Sequence, residues 1–241
     1  MKKYLGLFLL LSLVGCQVTE TIEINDDGSG KIEVLQLRDE QSYMQLAREN
    51  YSKEEKFEDS TFIFKDFITK YSETFSKLTP AEKIVFQKFE NVEVHIKKNS
   101  YEKDFRTTLT QNFSKIEEVP DVYKTEEYAD DLEHNYALSA EEHYYKVSYS
   151  FDRRIFKRIV KITDSIELKK HQDKISEMKN KYSNFKINQP FTLKYHFPRK
   201  IKSVSNTNAK ISADTKSVEL QFLISDCLQN PEITNLEVVL E

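Results

Sequence analysis

Glycine is almost missing from this chain. Four occur in 241 residues, and two of them, Gly28 and Gly30, share one short stretch. A glycine-cradled phosphate site needs several at fixed spacing ahead of a helix, so that chemistry is excluded. Tryptophan is absent, and cysteine occurs only at Cys16 and Cys227, too few for the disulfide framework that staples small secreted domains. No Gly-x-Ser-x-Gly elbow offers an acyl nucleophile. His95, His134, His143, His171 and His196 include no pair at helical metal spacing with a Glu between, so the zinc-protease pattern is missing. With 40 Asp and Glu, carboxylate pairs are everywhere and identify no glycosidase. Beyond the leading segment no run of apolar residues is long enough to cross a bilayer as a helix.

What is present is aromatic and charged. Sixteen Phe and 13 Tyr supply the material of a packed core, which a disordered chain lacks. The length suits one large domain or two small ones. A net charge of −4 without a clustered basic face argues against nucleic acid as a partner. Lys2 and Lys3 precede an apolar stretch from Tyr4 to Val14, which ends in small residues. That stretch falls short of the roughly 30 Å of hydrocarbon a helix must span. Charge, short apolar core and small residues are the layout of a secretory signal peptide.

The end of that segment, Leu13-Val14-Gly15-Cys16, resembles the lipobox of bacterial lipoproteins. The resemblance implies that residues 1–15 are cleaved and that residues 16–241 form a lipid-anchored extracytoplasmic domain. It also implies that the Cys16 thiol carries a diacylglycerol and the new amine an acyl chain, so that the bilayer is a partner held through Cys16. Each buried methylene contributes about 0.8 kcal/mol, so two or three chains on one residue hold a domain at a membrane where a single chain would not. Gln17, standing where Asp would signal inner-membrane retention, points to the outer membrane in a Gram-negative cell. Loss of Lys2 and Lys3 lowers the basic count from 36 to 34 against 40 acids, a net charge of −6. Cys227 is then left without a partner. It lies in the apolar run from Leu220 to Leu228 and reads as a buried, inert thiol.

Along the rest of the chain the periodicities predict an α+β fold, an antiparallel sheet with several packed helices. Strands over Val18–Ile24 and Lys31–Leu37 flank Asn25-Asp26-Asp27-Gly28-Ser29-Gly30. Asp-Gly there favours a hairpin, and the acids do not hold the register of a calcium loop. Asp39–Asn50 reads as helical. Phe64, Phe67, Ile68, Tyr71, Phe75 and Leu78 then recur at helical spacing, with Asp59 or Ser60 as the expected cap. Thr79-Pro80 starts a further short helix, Ala81–Phe89. Strands are expected over Val92–Lys97 and Phe105–Phe113. The acidic stretch Glu117–Glu142, with a helix over Val122–Leu132, reads as a solvated surface. A metal site built from Asp130, His134, Glu142 and His143 is the alternative use of its ligands. Tyr144–Ile162 returns to strand composition, with Tyr145, Val147, Tyr149 and Phe151 on one face. The basic run Arg153, Arg154, Lys157, Arg158 and Lys161 reads as solvated side chains or partners of the acidic segment, the alternative being contact with anionic lipid. Asp164 and Glu167 form a capping pattern ahead of a helix whose seam is Leu168, His171, Ile175, Met178 and Tyr182. Strands over Phe191–Phe197, Ile201–Val204, Ala209–Ala213, Ser217–Ile224 and Leu236–Leu240 finish the chain.

Two parts of this pattern, Cys16–Leu37 and Leu193–Ile224, look like the LppM-like lipoproteins. These share a lipidated Cys close to a strand, an Asp-Gly-Ser-Gly hairpin, and a late strand ending in Pro with a turn and further strand. The chain departs from that group in having Arg199 after Pro198 and no Trp. The resemblance implies an N-terminal hairpin joined to the C-terminal strands, and it transfers no catalytic residue. The expectation is a membrane-anchored lipoprotein with a non-enzymatic binding or structural role and an envelope protein as partner. It names no cofactor, metal or catalytic residue. A hydrolase with an unrecognised site and a small-ligand or lipid carrier are the alternatives.

Overall fold

The computed structural model describes residues 16–134, 144–181 and 189–241. Residues 1–15, Glu141, Glu142, His143 and Tyr182 lie outside them. The chain opens with a hairpin, β1 (Cys16–Ile24) and β2 (Gly30–Arg38). Its turn closes through local bonds. The Gly28 amide donates to the Asn25 carbonyl at 3.0 Å, and the Ser29 amide and hydroxyl both donate to Asp27 Oδ1. Gly28 takes φ +89°, where a side chain would be strained. Gly30 is glycine for another reason. A Cβ there would lie 2.0 Å from the Glu23 carbonyl oxygen and 2.6 Å from the Phe113 ring.

Next come helix α1 (Glu40–Ala47), capped by Asp39, a 3-10 turn over Arg48–Lys53, and β3 (Phe57–Ile63). This third strand corrects the expectation that Asp59 or Ser60 caps a helix. The predicted aromatic helix begins later, as α2 (Phe64–Lys70), and breaks at Tyr71 (φ −106°, ψ 36°) before α3 (Ser72–Lys77). Thr79 then starts α4 (Pro80–Gln87) with a full capping box. Its side chain accepts from the Glu82 amide, while Glu82 accepts from the Thr79 amide. β4 (Glu93–Asn99) and β5 (Asp104–Phe113) follow. After them come α5 (Thr125–His134), β6 (Tyr145–Phe151), β7 (Ile155–Ile162) and α6 (Ser165–Lys181). The chain ends with β8 (Pro190–His196), β9 (Ile201–Val204), β10 (Lys210–Ile211), β11 (Ser217–Leu223), α7 (Ile224–Gln229) and β12 (Leu236–Leu240).

The fold is α+β, with the strands in two sheets. The larger has the order β10-β11-β8-β1-β2-β5-β4-β3, the smaller β6-β7-β12-β9. The N-terminal hairpin joins the C-terminal strands as expected, but the junction is parallel: β1 and β8 run the same way, Val18 beside Phe191 and Ile22 beside Tyr195. Alternation gives the large sheet two unlike faces. Val18, Ile22, Val34, Leu109, Val94, Leu193 and Leu220 are buried on one. Thr21, Glu23, Glu33, Thr108, Thr110, Lys194 and Glu219 lie on the other, half-buried or exposed. The covered face meets the small sheet at its β1–β8 part, where Phe156 packs on Tyr195 and Phe197 with centroids 5.1 and 5.4 Å apart. Phe64, Phe86 and Tyr128 from the helices, with Phe89 just after α4, extend the same core. The aromatic stripe is therefore a packing face.

The acidic stretch is less solvated than its composition suggests. Tyr128, Ala129, Asp131 and Leu132 of α5 are buried. Just upstream, Glu117 and Asp121 accept from the Phe151 and Val147 amides at 2.6 and 3.3 Å. These two carboxylates occupy donors on β6, an edge strand of the small sheet, which shields that edge from pairing with another chain.

Candidate functional site

Cys16 is the first residue of β1, and its backbone pairs with Arg38, the last residue of β2. Its neighbourhood is built by the segment that follows Arg38. The Arg38 guanidinium bonds Glu40 and reaches Glu54 at 2.9 Å, and it lies 3.2 Å from the Phe105 ring centroid and 3.9 Å from that of Tyr43. The Tyr43 and Tyr51 rings pack tilted to each other, centroids 6.0 Å apart. Tyr51 donates to Glu40 at 2.9 Å and carries the Lys103 ammonium 4.4 Å from its ring centroid. A charge-assisted network of this density fixes the cap of residues 39–56 against the β4–β5 turn. The cap is tied there again by the Lys56 amide donating to Ser100 Oγ at 2.8 Å.

A second constellation lies between the sheets. Glu20 on β1 is fully buried, on the same face as Val18 and Ile22. Arg158 on β7 meets it from the small sheet, with Nε 3.2 Å from Oε1 and Nη2 3.3 Å from Oε2. The Tyr123 hydroxyl donates to Oε2 at 2.6 Å and that of Tyr195 to Oε1 at 2.5 Å. Arg158 also donates to Thr234 Oγ1 at 2.6 Å. Burial would push the Glu20 carboxyl up; the charge and hydrogen bonds of Arg158, with the two tyrosines, outweigh it and hold the group below its ordinary range. Burial likewise opposes the Arg158 charge, and Glu20 overcomes it. Every oxygen and nitrogen described faces a partner, so the cluster acts as a fixed cross-link. Arg158 was expected among solvated basic side chains. It is buried because it shares the inward parity of Phe156 and Val160. The nearby Lys157 points the other way and pairs with Glu237 at 2.9 Å.

The remaining candidates are placed as follows. His134 and Asp130 meet at 3.0 Å on the exposed side of α5, while His143 and Glu142 fall outside the described residues. Among those residues no group of three His, Cys, Asp or Glu is placed to hold a metal. Cys227 is a free, half-buried thiol on α7, pushed up to about 12 by burial. Asp164 caps α6 through the Ile166 and Glu167 amides, whereas Glu167 turns to Lys170 at 2.7 Å.

Two open grooves mark the surface. One, of about 370 Å³, is lined by Pro190, Gln221, Phe222, Leu223, Asp226 and Ile233. The other, of about 400 Å³, runs over the polar face of the large sheet beside Glu23, Lys194, His196, Ser217 and Glu219. Within it His196 Nδ1 lies 2.8 Å from Ser217 Oγ. An activated nucleophile needs its base oriented by a third group; among the described residues this ring has no second hydrogen bond.

No protein-family model matches the chain, and no curated protein matches it. Among solved structures it is similar in outline to the folded domain of the LppM protein of Mycobacterium tuberculosis, determined by NMR. The TM-score is 0.41 and the identity 9%, over 94% of this chain and 89% of that one. No helix among the described residues is long and apolar enough to cross a membrane.

Proposed function

We propose that the chain is an envelope lipoprotein, acylated on Cys16 and held at a bilayer by those acyl chains, whose domain is a non-enzymatic binding or structural module. The observation that carries this reading is the sequence that ends at Cys16. Leu13-Val14-Gly15-Cys16 closes a charged and then apolar leader, and the same Cys16 opens β1 in register with Arg38. Cleavage before Cys16 leaves all of β1, Cys16–Ile24, in the mature chain. Gln17 favours the outer membrane in a Gram-negative host. The open polar face of the large sheet, with its groove of about 400 Å³, supports binding an envelope partner.

The experiment is metabolic labelling with a palmitate analogue in a bacterial host. The full-length protein is expected to take up label and sediment with membranes. Cys16→Ala is expected to take up none and to leave the membrane acylation pathway. Label retained by the Cys16→Ala protein overturns the lipid assignment.

A further inference from the structure

The cap, the start of β3 and the β4–β5 turn carry apolar side chains that the domain leaves in solvent. Tyr101 at the tip of the β4–β5 turn is 88% exposed, Phe57 58% and Met44 49%. Tyr101 and Phe57 pack on each other, centroids 5.5 Å apart. The turn that lifts Tyr101 is rigid: Asn99 Oδ1 accepts from the Tyr101 and Glu102 amides at 3.0 Å each, and Lys103 takes φ +55°. This tip is joined through Lys103, Tyr51, Tyr43 and Arg38 to the strand position paired with Cys16. Paired residues of an antiparallel ladder have Cα atoms about 4.5–5.5 Å apart.

We propose that this rim, with Tyr101 and Phe57 as its anchors, rests in the headgroup layer of the bilayer that holds Cys16. The inference rests on the lipoprotein reading. β1 begins at Cys16 itself, so no flexible residues separate the acyl chains from the sheet. A lipid-bearing residue at a strand's first position brings the adjoining edge of the domain to the lipid surface. Tyrosine and phenylalanine are suited to that layer, where a ring meets acyl chains while a hydroxyl or nearby backbone stays wet. The charges of these segments are mixed: Arg48, Lys53, Lys56 and Lys103 against Glu49, Glu55 and Glu102. Aromatic burial, and not attraction to anionic lipid, is thus the source of contact. The far end of the domain is the β1–β2 turn, about 27 Å along the strand at 3.3–3.4 Å per residue.

The natural chain has no tryptophan, so a single one reports position. Full-length Tyr101→Trp and Asp26→Trp, acylated in the host and purified, are reconstituted into phosphatidylethanolamine–phosphatidylglycerol vesicles containing acyl-brominated lipid. Both sites are exposed, so neither change disturbs the core. Docking gives a blue shift and bromine quenching for Tyr101→Trp, and neither for Asp26→Trp. Two results overturn the docking while leaving the anchor intact. One is vesicle-bound protein whose two tryptophans emit alike. The other is a blue shift without bromine quenching, the mark of a protein contact such as a second copy. Protein that fails to float with the vesicles removes both the anchor and the docking.

Discussion

Replacing Arg158 with Met tests the inter-sheet cluster most directly. The substitution keeps an apolar stem of similar reach but leaves Glu20, which is fully buried, facing two tyrosine hydroxyls and no cation. Opposite charges about 4 Å apart interact by about 4 kcal/mol at an effective dielectric of 20. Removing one partner of a buried pair typically costs about 3–5 kcal/mol. The loss is read from urea unfolding as a lower midpoint with an unchanged slope. The pH dependence is more discriminating. In the natural protein the Glu20 carboxyl is held below its ordinary value. Its stabilisation is therefore present above the unfolded pKa of about 4.3 and lost as pH falls through the folded value. Without Arg158, burial dominates and raises the same group. The variant then keeps that group's contribution at low pH and loses it as pH rises above the unfolded value of about 4.3, so its deficit widens with rising pH. Adding Glu20→Gln removes the stranded charge, retains an oxygen for a tyrosine hydroxyl and is expected to recover most of the loss. A deficit under about 1 kcal/mol, the scale of a surface pair, refutes the argument. So does a deficit that stays flat with pH, or a double variant as unstable as Arg158→Met.

Two further outcomes follow from local geometry. Gly30→Ala is expected to cost about 3 kcal/mol or more, because the added carbon strikes the Glu23 carbonyl. Gly28→Ala, with open space but φ +89°, should cost only about 1–2 kcal/mol; equal midpoints in urea would contradict the distinction. Cys227, raised to about 12, should alkylate at mildly alkaline pH on the order of a thousandfold more slowly in the native protein than in urea. Equal rates would show that the thiol is not shielded.

The parts of the fold legible in the sequence were those fixed by neighbours in sequence. Asn25–Gly30 declared its hairpin, Thr79-Pro80 its helix start, and the alternation of Val92, Val94 and Ile96 the inward face of β4. β3 was hidden because it is an edge strand whose alternate residues stay exposed, so Asp59 and Ser60 resembled caps. The inward place of Glu20 and Arg158 was hidden for a different reason. Each breaks an apolar face only once, between Val18 and Ile22 and between Phe156 and Val160, and the partner that justifies each lies across the other sheet. A single charge at inward parity was the available signal. The rim was equally unreadable, since Phe57 and Tyr101 meet only through the pairing of β3 with β4.

The parallel pairing of β1 with β8 also sets a timetable. β1 finds β2 as soon as the hairpin is made, but its other edge waits for residues 191–196. At about 5–20 residues per second of synthesis, that edge stands open for on the order of 10–30 s, with Glu20 lacking Tyr195 throughout and Arg158 for most of that time. The first strand to appear is thus among the last to be completed, and the large sheet cannot close one domain segment at a time. A chain with this wiring stays unfinished until nearly all of it is present, which keeps it pliable during any passage that requires an unfolded thread.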